Sequence, residues 1–251
     1  MSRTTLVTGS AGEYDRALNP TADLLASRRV LDAVAQNHDM GTIVRLYRPA
    51  PTVAFSGRET SLPGFAEAVS ESIAFGFEPV IRPAGGRMVA VDENWLVLDV
   101  ISPEVGRDIA HKDMFLRHGN TFVKMLSEWG IHANVGSVAG EYCPGDYSVN
   151  ARNAVKIVGT AQRVTRGARL FSASIPFQIS PGVVELFTRI NSLLELEWDP
   201  QTLGSVHTEA PHVLFAELER AVVTHFAPQI DAESSLADLF DFDQSLYSVS
   251  R

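Results

Sequence analysis

The sequence predicts an α+β fold, in which helices flank a mixed and largely antiparallel sheet. Short runs rich in β-branched and aromatic residues occur in groups, and turn residues separate the runs within each group. Helical patterns stand between the groups, and they do not alternate with single strands as they would in a doubly wound parallel sheet. One run, WLVLDVI, is almost continuously apolar, which indicates a strand at the centre of the sheet.

The first half of the chain predicts two helices and five strands. Asn19 and Pro20 are an N-cap and a proline at the first helical position, and an amphipathic segment follows them. Within SLPGFAEAVSESIAFG a second, shorter helix is predicted, which ends at Gly76. The strands are predicted in TIVRLYRP and TVAFSG and over residues 77–82, 87–91 and 95–101.

The second half predicts three helices and four strands. Apolar residues at spacings near 3.6 indicate a helix over residues 111–130. Further helices are predicted from Pro181 to about Leu196 and over residues 211–226. The strands are predicted in IHANVG and over residues 146–150, 154–163 and 168–178. We assign residues 1–226 to one domain and residues 227–251 to an acidic C-terminal tail.

Composition indicates a globular protein, and we expect it in the cytoplasm. The 251 residues are 45% hydrophobic and 20% charged, which is ordinary for a protein with a sizeable core. No apolar run is long enough for a signal peptide or a membrane span. A single cysteine cannot form an internal disulfide. The net charge of −9 argues against general binding to nucleic acid or to an anionic membrane.

One segment of this acidic chain is basic. Residues 147–184 contain no Asp or Glu, and this segment includes five cationic residues: Arg152, Lys156, Arg163, Arg166 and Arg169. Such a distribution indicates either a docking surface for an anionic partner or a solvated strand face.

Several common kinds of catalytic site are excluded by the motifs that the sequence lacks. The seven histidines form no HxxxH pair, so a structural zinc site is not predicted, and we expect no metal. There is no GxxxxGK[ST] phosphate loop, and there is no GxSxG motif of a serine hydrolase.

The stretch GEYCPGDYSVNARNAVKIVGTAQR contains the only cysteine, Cys143, and a lysine, Lys156. Cys143 follows a glycine-containing loop, and Pro144 removes one backbone donor beside it. A hairpin is predicted to bring Lys156 close to Cys143. An ammonium beside a thiol stabilises the reactive thiolate, and it can also stabilise an oxyanion. The residues themselves leave two readings open, a catalytic Cys–Lys pair or an inert thiol near a lysine.

A second stretch, RPAGGRMVAV, contains two adjacent glycines between predicted strands. Because Gly85 and Gly86 have no Cβ, the backbone there can turn sharply and approach a ligand closely. Arg82 stands at the entry to this loop. A plain hairpin turn would explain the same pattern.

These two stretches together resemble the biotin/lipoate A/B protein ligase superfamily. VKIVGTAQR is similar to its lysine signature, RPAGG is similar to its glycine-rich loop, and CPGDYSVN looks most like the cysteine-dependent lipoyl (octanoyl) amidotransferase branch. The resemblance runs from about Ala22 to Phe226. It implies the class II synthetase-like catalytic-domain fold of that superfamily for residues 1–226. It also implies an acyltransferase in which Cys143 is the nucleophile and Lys156 contacts the acyl carbonyl.

The resemblance also implies an acyl pocket and a set of partners. The pocket residues implied are Arg82, Gly85, Gly86, Arg87, Val89, Ile157, Val158, Gly159, Thr160 and Ala161. The expected acceptors are lipoyl-domain proteins, namely the glycine cleavage H protein or the E2 subunit of 2-oxoacid dehydrogenases, and acyl carrier protein is a further candidate donor. Such domains are acidic in this family, so a surface of Arg152, Arg163, Arg166 and Arg169 is expected to dock them.

Three alternatives to the cysteine route remain at this point. An ATP-dependent lipoate ligase would use ATP and magnesium and form an acyl-adenylate, whereas a transferase would need no cofactor besides its octanoyl or lipoyl substrate. A non-catalytic homologue would bind an acyl group or a lipoyl domain without turnover. In the third alternative Cys143 is buried and inert.

Overall fold

The computed structural model describes residues 3–8, 20–82, 85–104 and 111–239. The helices are α1 (Pro20–Gln36), α2 (Phe65–Ala74), α3 (His111–Ser127), α4 (Pro181–Leu193), α5 (Val206–Glu209), α6 (Phe215–Phe226) and α7 (Leu236–Leu239). The strands are β1 (Thr4–Thr8), β2 (Thr42–Tyr47), β3 (Thr52–Ser56), β4 (Glu78–Arg82), β5 (Val89–Val91), β6 (Trp95–Pro103), β7 (Ala133–Val135), β8 (Val149–Ala151), β9 (Val155–Thr165), β10 (Ala168–Pro176) and β11 (Ala232–Ser234).

Two sheets organise these strands. The larger has eight strands in the order β11-β1-β2-β6-β10-β9-β8-β7, and the smaller has three in the order β4-β3-β5. Strand β1 runs parallel to both of its neighbours, and β3 runs parallel to β4. The other pairings are antiparallel. The predicted α+β class with a mixed, largely antiparallel sheet is therefore confirmed.

The hydrophobic core has three parts, and in each of them helices pack against one of the two sheets. One part packs α3 and α6 against the eight-stranded sheet, with Phe122 and Phe171 fully buried in it. A second packs α2 and α4 around the three-stranded sheet and Trp95. The third holds α1 against strands β1, β2 and β6. Strand β6 contacts all three parts, as expected for the apolar run WLVLDVI.

Strand β8 is shorter than the predicted strand over 146–150. Residues 146 and 147 form a turn, because the Ser148 N–H donates to the Gly145 carbonyl at 3.1 Å. Strand β8 and strand β9 are joined by a tight turn at Arg152 and Asn153, whose φ angles are 56° and 55°. Two consecutive positive φ values are typical of a type I′ hairpin turn, which matches the twist of the strands.

Strands β1 and β11 are not predicted by the sequence patterns. Residues 232–234 pair in parallel with β1, so the described part of the predicted acidic tail extends the main sheet. The division at residue 226 stays a prediction, and the N-cap assigned to Asn19 lies outside the described residues. In the part of the chain that the structure describes, no helix has both the length and the apolar character needed to cross a membrane.

Candidate active site

A cavity of about 350 Å³ lies where the two sheets face each other. Small side chains on β9 and β10 form part of its wall, with Gly159 opposite Ser174 and Ala161 opposite Ser172. A Cβ at Gly159 would stand 3.0 Å from both the Ser174 and the Tyr142 hydroxyls. Apolar residues from three other strands face the same space: Ala54, Val89, Val91 and Val97. The small residues therefore leave room for a narrow ligand between the sheets.

Cys143 lines this cavity from the loop between β7 and β8. Its thiol is half-buried, and its Sγ accepts a hydrogen bond from the Arg87 N–H at 3.1 Å. The preceding residue, Gly86, has a φ of 100°. A Cβ there would lie 2.9 Å from Sγ, so the close approach of the two loops requires glycine at this position.

Glu59 holds the glycine loop in place, and no sequence pattern pointed to this residue. Its carboxylate is buried and accepts two backbone N–H groups, from Ser56 at the end of β3 and from Met88, each at 2.7 Å. The Arg82 Nη2 donates to the Arg87 carbonyl at 2.5 Å. The peptide between Arg87 and Met88 is thus held through both its carbonyl and its N–H, and it directly follows the N–H that faces the thiol.

Lys156 on β9 approaches Cys143 as the hairpin predicts, and it contacts the backbone of that residue. Its Nζ donates to the Cys143 carbonyl at 2.7 Å and to Glu141 Oε1 at 3.2 Å. It also lies 4.4 Å from the centre of the Tyr142 ring. Burial lowers the pKa of Lys156, and the charges of Glu141 and Cys143 oppose that effect.

Glu141 is the second functional candidate that the sequence patterns missed. Its side chain is 0% exposed, and it accepts from the N–H groups of Val138 and Gly145 and from the Ser148 hydroxyl, in addition to Lys156. One carboxylate therefore connects the loop that carries Cys143 to the strand that carries Lys156. Its position two residues before the cysteine was the only signal available in the sequence.

A second buried ionic cluster also borders the cavity. Arg45 on β2 pairs with Asp23 of α1 and hydrogen-bonds Ser27, which in turn donates to Asp99 on β6. Burial raises the pKa of Asp23, although the Arg45 guanidinium opposes this. Asp23, Ser27 and Asp99 all line the cavity. Nothing in the sequence links these residues, because the cluster joins three separate elements.

Most of the predicted pocket residues do line this cavity, namely Arg82, Gly85, Gly86, Arg87, Val89, Gly159, Thr160 and Ala161. Ile157 and Val158 do not, and that part of the prediction is corrected. Both are fully buried and belong to the core on the α3 and α6 side of the sheet. Whether the lining residues contact an acyl group stays a prediction.

The four predicted docking arginines do not form one surface. Arg169 is buried and paired with Glu104 at 2.7 Å, and Arg163 lines the cavity. Arg152 and Arg166 are exposed, but they occupy the turns at opposite ends of the 11-residue strand β9. At the usual rise of a strand, about 3.3 Å per residue, this separates them by roughly 35 Å. Arg152 is also engaged by Glu209 at 2.7 Å.

Within the described ranges, no group of three or more His, Cys, Asp and Glu residues is arranged to hold a metal ion. The chemistry offered by the site is that of a thiol, a backbone N–H, an ammonium and an adjoining apolar cavity. These groups suit nucleophilic attack on a carbonyl and stabilisation of the oxyanion that forms.

The chain belongs to the lipoyl protein ligase A/B catalytic domain family, whose sequence profile matches residues 19–226. This confirms the superfamily indicated by VKIVGTAQR and RPAGG. Among curated proteins, it is similar to the octanoyl-[GcvH]:protein N-octanoyltransferase of Geobacillus kaustophilus, with 31% identity over 50% of this chain and 44% of that protein. The corresponding protein of Anoxybacillus flavithermus is 29% identical over 60% of this chain and 55% of its own length. The chain thus spans about half the length of the curated relatives it matches.

Solved structures support the fold. A lipoate-protein ligase A bound with ATP superposes with a TM-score of 0.67 at 18% identity, over 97% of this chain and 96% of that one. A putative lipoate protein ligase from T. acidophilum with bound lipoic acid gives 0.69 at 18% identity, over 96% and 94% of the two chains. At such low identity the likeness shows the class II synthetase-like fold of this family and nothing finer.

Proposed function

We propose that this protein transfers an octanoyl or lipoyl group to a lysine of a lipoyl-domain protein through a thioester on Cys143. The observation that carries the proposal is the Arg87 N–H, which points at the Cys143 Sγ at 3.1 Å beside an apolar cavity. A backbone donor fixed at a thiol stabilises negative charge there and on a carbonyl oxygen that binds beside it. A merely structural cysteine has no need of this arrangement.

The first half of the reaction forms the acyl-enzyme. The Cys143 thiolate attacks the carbonyl carbon of the acyl donor, and a C–S bond forms as the bond to the donor's amine breaks. The departing amine takes the proton that the thiol has released. Arg87 N–H and the Lys156 ammonium stabilise the oxyanion, since Pro144 has no N–H to offer. Two of the three N–H donors of Lys156 are bound by Cys143 and Glu141, which leaves one direction for the substrate.

The second half reverses these roles. The ε-amine of a lipoyl-domain lysine attacks the thioester carbonyl, the C–S bond breaks, and the thiolate returns with the amine proton released to solvent. The acyl chain lies along the small residues of β9 and β10, where apolar side chains exclude water. Arg166 is exposed in the turn between β9 and β10, and it is retained as a docking residue for an acidic lipoyl domain.

The names of the curated relatives support GcvH as the acyl donor and a protein as the acceptor. Both are named octanoyl-[GcvH]:protein N-octanoyltransferases, and their names specify GcvH as the source of the octanoyl group. For this chain, octanoyl-GcvH is therefore the first donor to test, and no cofactor is required for the transfer.

Intact-mass measurement tests the proposal. The protein is incubated with octanoylated GcvH and without ATP, and we expect an added octanoyl group that is lost in Cys143→Ser. Lys156→Met is expected to slow adduct formation by about 100-fold or more, as removal of an oxyanion donor does. Lys124→Met is the matched control, because that lysine is exposed on α3. An adduct that forms only with ATP would replace the proposal with an acyl-adenylate ligase, and binding without any adduct would indicate a non-catalytic homologue.

A further inference from the structure

The ion pair of Lys156 and Glu141 is buried, and the transfer reaction alone does not explain why a carboxylate is placed there. Lys156 is 3% exposed and Glu141 is 0% exposed, so both charges are removed from water. A buried ammonium without a counter-ion loses its proton readily, because burial disfavours the charged form. A neutral amine at Lys156 could not stabilise an oxyanion by charge.

The groups that face the ammonium come from two elements, the loop before β8 and strand β4. Glu141 and Cys143 on the loop before β8 favour its charged form, and the Tyr142 ring lies 4.4 Å from Nζ. Arg82 on β4 disfavours the charged form. Among these groups, only Glu141 offers a carboxylate, and its Oε1 contacts Nζ directly at 3.2 Å.

Glu141 is itself held rigidly. The N–H groups of Val138 and Gly145 donate to it at 3.0 Å each, and the Ser148 hydroxyl donates at 2.8 Å. All three donors belong to the loop that carries Cys143, so they fix the orientation of the carboxylate. Its position is therefore set by the loop and does not depend on the lysine.

We propose that Glu141 is a positioning residue that keeps the Lys156 side chain as an ammonium and directs it at the loop that carries Cys143. The carboxylate fixes one N–H of Lys156, and the Cys143 carbonyl fixes a second. The role of Lys156 in transfer rests on the proposed function, but its protonation can be measured without any turnover.

The protein offers a direct measurement, because it contains only three lysines: Lys112, Lys124 and Lys156. Protein labelled with ¹³C at the lysine Cε is titrated by NMR, and the Lys156 signal is assigned by its loss in Lys156→Arg. In Glu141→Gln we expect the titration midpoint of Lys156 to fall by about one pH unit or more, as loss of a contacting opposite charge requires. The exposed Lys112 and Lys124 are internal references that should not move.

Two further variants separate charge from packing. Ser148→Ala removes one hydrogen bond to Glu141 without changing its charge, and the Lys156 midpoint should stay unchanged. If Glu141→Gln fails to fold, Glu141→Asp is measured in its place. This variant withdraws the carboxylate by one methylene, so the titration midpoint of Lys156 should fall by a smaller amount. A midpoint that is unchanged or higher in the folded variant overturns the inference, whatever happens to the melting temperature.

Activity gives a second readout that distinguishes the two proposals. If the transfer reaction is established, the alkaline limb of its pH–rate profile should move to lower pH in Glu141→Gln. If no variant transfers an acyl group, the proposed function fails, and the NMR titration still tests the role of Glu141.

Discussion

The two buried ionic clusters that border the cavity are built differently. The Lys156–Glu141 pair joins residues 15 apart in sequence, and its carboxylate accepts hydrogen bonds from neighbouring backbone N–H groups. The Arg45 cluster joins α1, β2 and β6, with Ser27 and Asp99 separated by 72 residues. The first cluster shapes one loop around the thiol, whereas the second connects a helix to the sheet. We infer that the first serves chemistry and the second holds the cavity wall.

Removing the central cation of the second cluster should have the largest effect on stability. Arg45→Met leaves Asp23 and Asp99 buried without their common partner, and we expect the free energy of unfolding to fall by about 3–5 kcal/mol. Urea unfolding measures this. Arg189→Met is the matched control, since Arg189 forms exposed ion pairs whose loss should change stability much less. Equal losses in the two variants would remove the distinction between the clusters.

His118 is the reference for both clusters, because it is a half-buried base to which the described residues offer no carboxylate partner. Burial lowers the pKa of His118 from 6.5 to about 4, and its ring is tilted against Phe171 and stacked on Phe226. Between these pH values the unfolded chain binds a proton that the folded protein does not. The free energy of unfolding should therefore fall by about 3 kcal/mol through this residue as the pH drops from about 6.5 to about 4.

Comparison with His118→Phe isolates that contribution. The variant should lose less stability than the wild type between about pH 6.5 and about pH 4, as measured by urea unfolding at several pH values. Parallel pH curves for the two proteins would show that His118 stays charged when folded.

The smallest expected effect concerns the glycine loop beside the first cluster. Gly86→Ala places a Cβ 2.9 Å from Sγ at a φ of 100°, so we expect a loss of about 1–2 kcal/mol and slower alkylation of Cys143 by iodoacetamide. Gly85→Ala is the control, because a Cβ there meets nothing within 4 Å. If both variants react alike, the contact between Arg87 N–H and Sγ does not depend on glycine.

The sequence predicted the fold class and the core of the site for physical reasons. Hairpin runs are local signals, and Cys143 and Lys156 lie in one hairpin region that a short motif covers. Glu59 was missed because its role depends on Met88, which is 29 residues away. The Arg45 cluster was missed for the same reason, because its contacts join residues that are 18, 22 and 72 apart.

The sequence also misassigned residues where strand geometry departs from regularity. The register of β8 and β9 shifts between Val149 and Asn150, so the neighbours of Lys156 do not follow simple alternation. Ile157 and Val158 consequently belong to the core. The arginines of β9 and its turns form one basic segment in the sequence. In the structure they are distributed along the whole length of the 11-residue strand, so they do not form one surface.

Strand β11 has a consequence for how the molecule behaves among its own copies. It covers the open hydrogen-bonding side of β1, which would otherwise be a five-residue parallel strand able to recruit another chain. Strand β11 is only three residues long, Glu233 within it is exposed, and so is Asp231 just before it. Short length and negative charge make a poor template for further strands. Among the described residues, β11 thus ends the sheet with an edge that disfavours pairing with another copy of the chain.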